Sequence, residues 1–116
     1  ILNMATYKLQ KKSTYNYLVD GKFKISDDYY YSLDDYLKIY YENQEIPLTK
    51  HERLFLEVLL KAKGEIVPFS VIEHYIWFDK SISDSTLRTL IYRIRSKFNH
   101  KIIKSVSSIG YKINFS

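Results

Sequence analysis

Seven cations follow Asp84 with no carboxylate among them: Arg88, Arg93, Arg95, Lys97, Lys101, Lys104 and Lys112. A guanidinium is a flat fork that pairs with two acceptors in one plane, and an ammonium meets phosphate oxygens as a point charge. A one-signed set of this kind concentrates and holds a polyanion. The first 84 residues carry eleven basic and thirteen acidic side chains, so the formal charge of +5 arises wholly in the last 32. Small hydroxyl groups, including Thr86, Thr89 and Ser96, and the phenol of Tyr92 stand among the cations. Each can donate or accept a hydrogen bond without adding charge.

Other chemistries lack their residues. The absence of Cys excludes disulfides, thiolate metal sites and cysteine nucleophiles, and agrees with a reducing cytoplasm. His51, His74 and His100 share no metal-ligand spacing. Ser70 and Ser85 lack a nucleophile-elbow context, and three Gly in all do not make a phosphate-cradling loop. The expectation is a protein that is not an enzyme and takes no metal or cofactor. Its 116 residues, 46% hydrophobic and 27% charged, suit one globular domain. No apolar run nears the roughly 18 residues of a membrane span, and no signal-peptide pattern opens the chain. A first residue of Ile1 rather than Met reads as a fragment of something longer.

Periodicity indicates the elements that must position the cations. Residues 1–12 read as the last turns of a helix running into a linker, so residues 1–14 are assigned to a linker or preceding domain and 15–116 to the domain itself. Period-two alternation then predicts short antiparallel strands. Tyr15–Val19 and Phe23–Ile25 flank the turn dipeptide Asp20-Gly21. Tyr29–Leu33, Leu37–Tyr41 and Glu45–Leu48 follow, the last two separated by the polar Glu42-Asn43-Gln44 turn. Twelve Tyr, most of them in this half, are read mainly as strand packing.

At Thr49 the period changes to helical. Thr49-Lys50-His51-Glu52 has the form of a capping box, Phe55, Val58, Leu59 and Ala62 share one face, and Gly64 is the expected stop. A second helix after Pro68 has Val71, Ile72, Tyr75 and Ile76 as its expected buried stripe. A third begins near Ser83 or Asp84 and is anchored by Leu87, Ile91, Ile94 and Phe98. Its opposite arc carries Thr89, Tyr92, Arg93 and Ser96, with Arg88 and Arg95 on one flank. Residues 103–106 and 111–115 then form a hairpin, whose Gly110 is expected to take a positive φ.

This order of sheet, three helices and terminal hairpin resembles the OmpR/PhoB-type winged-helix domain of bacterial response regulators, over about Phe23 to Phe115. The residues that carry the resemblance are Leu48-Thr49-x-x-Glu52, Ile76-Trp77, Ser85-Thr86-Leu87 with Ile91 and Arg93-Ile94-Arg95-x-Lys97-Phe98, and Val106-x-x-x-Gly110-Tyr111. Arg53, Pro68, Arg88 and the Ser107-Ser108 pair depart from the family's pattern. The fold class implied is α+β: a winged helix-turn-helix with a small N-terminal antiparallel sheet and a C-terminal wing. The resemblance also implies a receiver domain upstream, homodimers on tandem half-sites, and RNA polymerase contact through the 78–84 loop.

On this reading the third helix, about 85–98, enters the major groove of double-stranded DNA, which admits one α-helix. Arg93 is the candidate for a bidentate contact to guanine, with Thr89 and Tyr92 beside it at base edges. Thr86, Arg88, Arg95 and Ser96 are candidates for phosphate oxygens, and Lys104 and Lys112 for the backbone beside the wing. Lys97 and Lys101 are read as solvated. Two alternatives stay open: a winged helix used for protein contact or homodimerisation, and RNA or single-strand binding through exposed Tyr of the sheet.

Overall fold

The computed structural model describes residues 18–19, 21–33, 35–78, 83–98 and 102–115. The expectations for residues 1–12, for the middle of the 78–84 loop, and for His100 and Lys101 fall outside that set.

Five strands form an antiparallel meander: β1 (Leu18–Val19), β2 (Lys22–Lys24), β3 (Tyr29–Ser32), β4 (Lys38–Tyr41) and β5 (Gln44–Ile46), paired in sequence order. Val19 pairs with Lys22 around a two-residue turn in which Gly21 has φ 77°. The β4–β5 turn is Glu42-Asn43, with φ 50° and 71°, and Gln44 already pairs with Tyr41. Two positive φ values match the twist a tight hairpin needs. Pro47, which has no amide to donate, follows the last residue of β5.

The tyrosines divide by strand alternation. Tyr29 and Tyr31 are buried, and Tyr30 and Tyr40, opposite each other on the other face, are half-buried. Burial pushes the Tyr31 phenol up to about 12, so it stays neutral. Phe23 stacks on Tyr31 at 5.3 Å, and the Tyr29 ring lies 5.2 Å edge-on to Phe98. The second contact fastens the sheet to the segment that leaves the third helix.

Helix α1 (Lys50–Lys61) opens with the expected capping box. The Glu52 amide donates to Thr49 Oγ1 at 3.2 Å, and the Thr49 amide donates to Glu52 Oε1 at 2.9 Å. A side-chain cap of this kind contributes about 1 kcal/mol. The helix ends at Ala62, and the chain turns left-handed at Lys63 (φ 52°), one residue before Gly64 (φ 92°).

Helix α2 (Phe69–Trp77) buries Ile72 and Ile76 only. Val71, expected in the stripe, is 47% exposed. A nine-residue helix docks through one i, i+4 seam, and the residue before that seam is turned about 100° away. The fourth expected member, Tyr75, is half-buried and binds α1 through its hydroxyl, which donates to Glu57 Oε1 at 2.7 Å and accepts from Lys61 Nζ at 3.0 Å.

Helix α3 (Asp84–Arg95) is anchored by Leu87, Leu90, Ile91 and Ile94. It stops three residues short of Phe98, which packs from beyond the helix. A second sheet has the order β6-β8-β7, with β6 (Val67–Pro68), β7 (Ile103–Val106) and β8 (Gly110–Ile113). The hairpin is therefore the larger part of a three-stranded sheet. The expected role of Gly110 is corrected: its φ is not positive, and Ser108 (φ 64°) makes the turn. Gly110 is required because β6 passes so close that a Cβ would stand 1.9 Å from the Val67 carbonyl oxygen.

Candidate nucleic-acid interface

One apolar seam holds α3 to the core, and its other side faces solvent. Thr86, Arg88, Thr89, Arg93 and Ser96 are exposed, and Tyr92 is 74% exposed. Among the described residues no ion pair takes up Arg88 or Arg93. The Thr86 hydroxyl lies 3.1 Å from that of Ser83, the N-cap, which is in turn 2.9 Å from that of Ser85. Ser96 Oγ donates to the Arg93 carbonyl at 2.8 Å and closes the last turn.

Two cations of this segment are held by the protein itself. Arg95 is half-buried, and its Nη2 donates to the Ile103 carbonyl and to Ser105 Oγ, both at 3.0 Å. It thus braces α3 against β7. Lys97, read from sequence as solvated, is not: its Nζ lies 2.6 Å from Glu52 Oε1 and 2.9 Å from the Pro47 carbonyl oxygen. Glu52 is 1% exposed. Burial pushes its carboxyl up, but the Lys97 ammonium and the Thr49 amide together outweigh burial and hold it below the ordinary value. One carboxylate therefore caps α1 and receives the lysine just past α3.

The wing brings Lys104 directly opposite Lys112 in the β7–β8 register. Like charges facing each other across a sheet cost stability, and the nearest neighbours in sequence include no acid to offset it. Beyond them the tip carbonyl of Ile109 accepts from the Phe69 amide at 3.0 Å. Pro68, the N-cap of α2, gives no side-chain cap, so the wing satisfies the first amide of that helix.

A cleft of about 510 Å³ runs along the Thr86–Arg93 flank of α3. Its other walls are Thr49, Lys50 and His51, at the start of α1, and Trp77, at the end of α2. The His51 ring is edge-on to Trp77 at 5.2 Å. Lys50, His51 and Trp77 were not singled out from sequence as part of this surface; only the packing of three helices joins them to Arg93. Among the described residues no cluster of His, Asp and Glu could hold a metal, and no helix is long and apolar enough to cross a membrane.

Comparison with known proteins places this geometry. The family described as "Transcriptional regulatory protein, C terminal" matches residues 43–113. The regulatory protein VanRB of Enterococcus faecalis is 31% identical over 85 residues, covering 72% of this chain and 39% of VanRB. The chain thus spans well under half the length of that relative. Among solved structures, the response regulator DrrB of Thermotoga maritima, an OmpR/PhoB homologue, superposes with a TM-score of 0.69 at 20% identity over 92% of this chain and 46% of that one. The DNA-binding domain of Klebsiella pneumoniae RstA, solved in complex with the RstA box, gives 0.57 at 18% identity over 66% and 81%. With a five-stranded sheet, three helices and a wing among its described residues, and with the family's own sequence pattern across 43–113, this chain belongs to the transcriptional regulatory proteins of the OmpR/PhoB type, as their C-terminal domain.

Proposed function

We propose that the chain is the effector domain of a response-regulator-type transcription factor and binds double-stranded DNA sequence-specifically, with α3 in the major groove and the wing on the backbone. The observation that carries the proposal is the outer face of α3: exposed, without a described ionic partner for Arg88 or Arg93, and rigidly seated on four buried residues. Arg93 reads guanine, Thr89 and Tyr92 meet neighbouring base edges, and Thr86 and Arg88 meet phosphates, as does Ser96 once its hydroxyl turns from the Arg93 carbonyl. Lys104 and Lys112 share a phosphate beside the wing, which offsets their mutual repulsion. Arg95 serves the interface from behind, as the brace that fixes α3 against β7 of the wing. The RstA domain bound to its box supports this use of the fold.

The whole protein adds a receiver domain upstream, joined through residues 1–14, with residues 15–116 as the effector unit. It acts in the cytoplasm as a homodimer on tandem half-sites, and the 78–84 loop meets RNA polymerase. Selection of bound duplexes from a random pool tests the central reading. The parent should enrich one site, and Arg93→Ala should relax preference at one base pair by about 1–3 kcal/mol. Arg88→Ala should weaken all sequences evenly and flatten the salt dependence by about 0.9 in log–log slope. Enrichment of the same site with the same stringency by Arg93→Ala would remove Arg93 as the reader. No duplex binding at low salt would return the domain to protein contact.

A further inference from the structure

The phosphate contacts assigned above lie mainly on the Arg88 flank of α3 and on the wing. A helix seated in a major groove about 12 Å wide has a sugar–phosphate strand along each side. The strand on the other side must pass over the cleft, where Thr86 alone has so far been given a phosphate to meet. We propose that the first turn of α1 grips that strand: Lys50 and His51 take a backbone phosphate from across the cleft that Thr86, Thr89 and Arg93 line. The inference rests on the duplex-binding reading and extends it to a third helix.

Three observations carry it. The cleft is continuous with the reading face, because Thr89 and Arg93 belong to both. Its charged side chains, Lys50 and Arg93, are both cationic, and its lining includes no carboxylate. Its volume of about 510 Å³ accommodates a phosphate with its sugar, and the His51 ring in its lining is packed edge-on to Trp77. Lys50 is also out of place as a helix residue. A cation in the first turn opposes the helix dipole, and it is exposed with no ion pair among the described residues. A phosphate in the cleft turns that local cost into attraction.

Fluorescence anisotropy on the 116-residue chain, from 50 to 300 mM salt, tests the inference with the selected duplex and with mixed-sequence duplex. Lys50→Gln should reduce the log–log salt slope by about 0.9, equivalent to roughly fivefold weaker binding at 0.15 M, by the same factor on both duplexes. Adding His51→Gln should weaken binding further without altering base preference. Lys63→Gln, just past the far end of α1, is the control and should match the parent. Because Lys50→Gln relieves the dipole conflict, its melting temperature should be unchanged or higher, which separates lost contact from lost fold. An unchanged slope for Lys50→Gln, while Arg93→Ala still changes preference, overturns this inference alone. Failure of the parent to bind duplex at low salt overturns it together with the function it rests on.

Discussion

Replacing Lys97 by Met isolates the ion pair that links α3 to the cap of α1. Glu52 has 2% of its side chain exposed and Lys97 has 29%, with 2.6 Å between the charged atoms. Deleting one partner of a fully buried pair costs about 3–5 kcal/mol, whereas an exposed pair contributes about 0–1. Here one partner is buried, the other partly wet, and the Thr49 amide still binds the carboxylate. The expected loss is therefore about 2–3 kcal/mol at pH 7, intermediate between those limits. For a domain of this size that corresponds to roughly 10–20 °C in melting temperature.

The pH dependence has a definite sign. Lys97 and Thr49 hold the Glu52 carboxyl below its ordinary value of 4.5, so its contribution is fully present above that value in the parent. It is lost as pH falls through the lower folded-state value. The gap between parent and Lys97→Met should accordingly be widest near neutrality and close in acid, where Glu52 is protonated in both. Urea unfolding followed by the single Trp77 measures each stability, and Glu52→Gln in the Lys97→Met background should recover part of the loss by removing the stranded charge. A Lys97→Met variant within about 0.5 kcal/mol of the parent at pH 7, with an unchanged m-value, would refute the reasoning.

Two further outcomes follow from the wing. Gly110→Ala places a methyl group 1.9 Å from the Val67 carbonyl oxygen, and its nearest neighbours are backbone atoms of Val67 and Pro68, so β6 must separate from β8. We expect a loss of at least the 1–3 kcal/mol or so typical of overpacking, read by thermal unfolding, and a parent-like midpoint would show that β6 yields without cost. Arg95→Ala removes both 3.0 Å bonds from α3 to β7 and should cost about 1–3 kcal/mol. Hydrogen exchange should then quicken at β7 amides while α1 amides keep parent rates; unchanged exchange in β7 would mean the guanidinium braces nothing.

What could be read from the sequence were the features encoded locally. Thr49 and Glu52 three residues apart define a cap whatever surrounds them, Gly21 supplies the turn after β1, and the Leu87–Ile91–Ile94 spacing fixes which way α3 faces. These needed no knowledge of partners. The cations of α3 could be sorted by angle around the helix but not by what approaches from elsewhere. Arg95 and Arg88 share a flank in projection, yet only Arg95 meets a strand, because β7 returns to that side. Lys97 found a carboxylate 45 residues earlier in the chain. The same limit explains Gly110, whose requirement comes from β6, two residues of low strand signal that a single-sequence pattern does not register. It also explains the cleft, whose walls come from three separate helices.

The wing is stitched on both margins: β7 pairs along one side of β8, Val67 and Pro68 pair along the other, and the tip carbonyl ends on Phe69. It cannot swing as a free flap, since rotating it would strip bonds from the entrance of α2. Its two lysines are therefore presented at a fixed height and angle relative to α3 before any ligand arrives. The backbone freedom that a loose arm would surrender on docking has already been given up in folding, so only the rotamer freedom of the two side chains is deducted from the attraction that Lys104 and Lys112 supply.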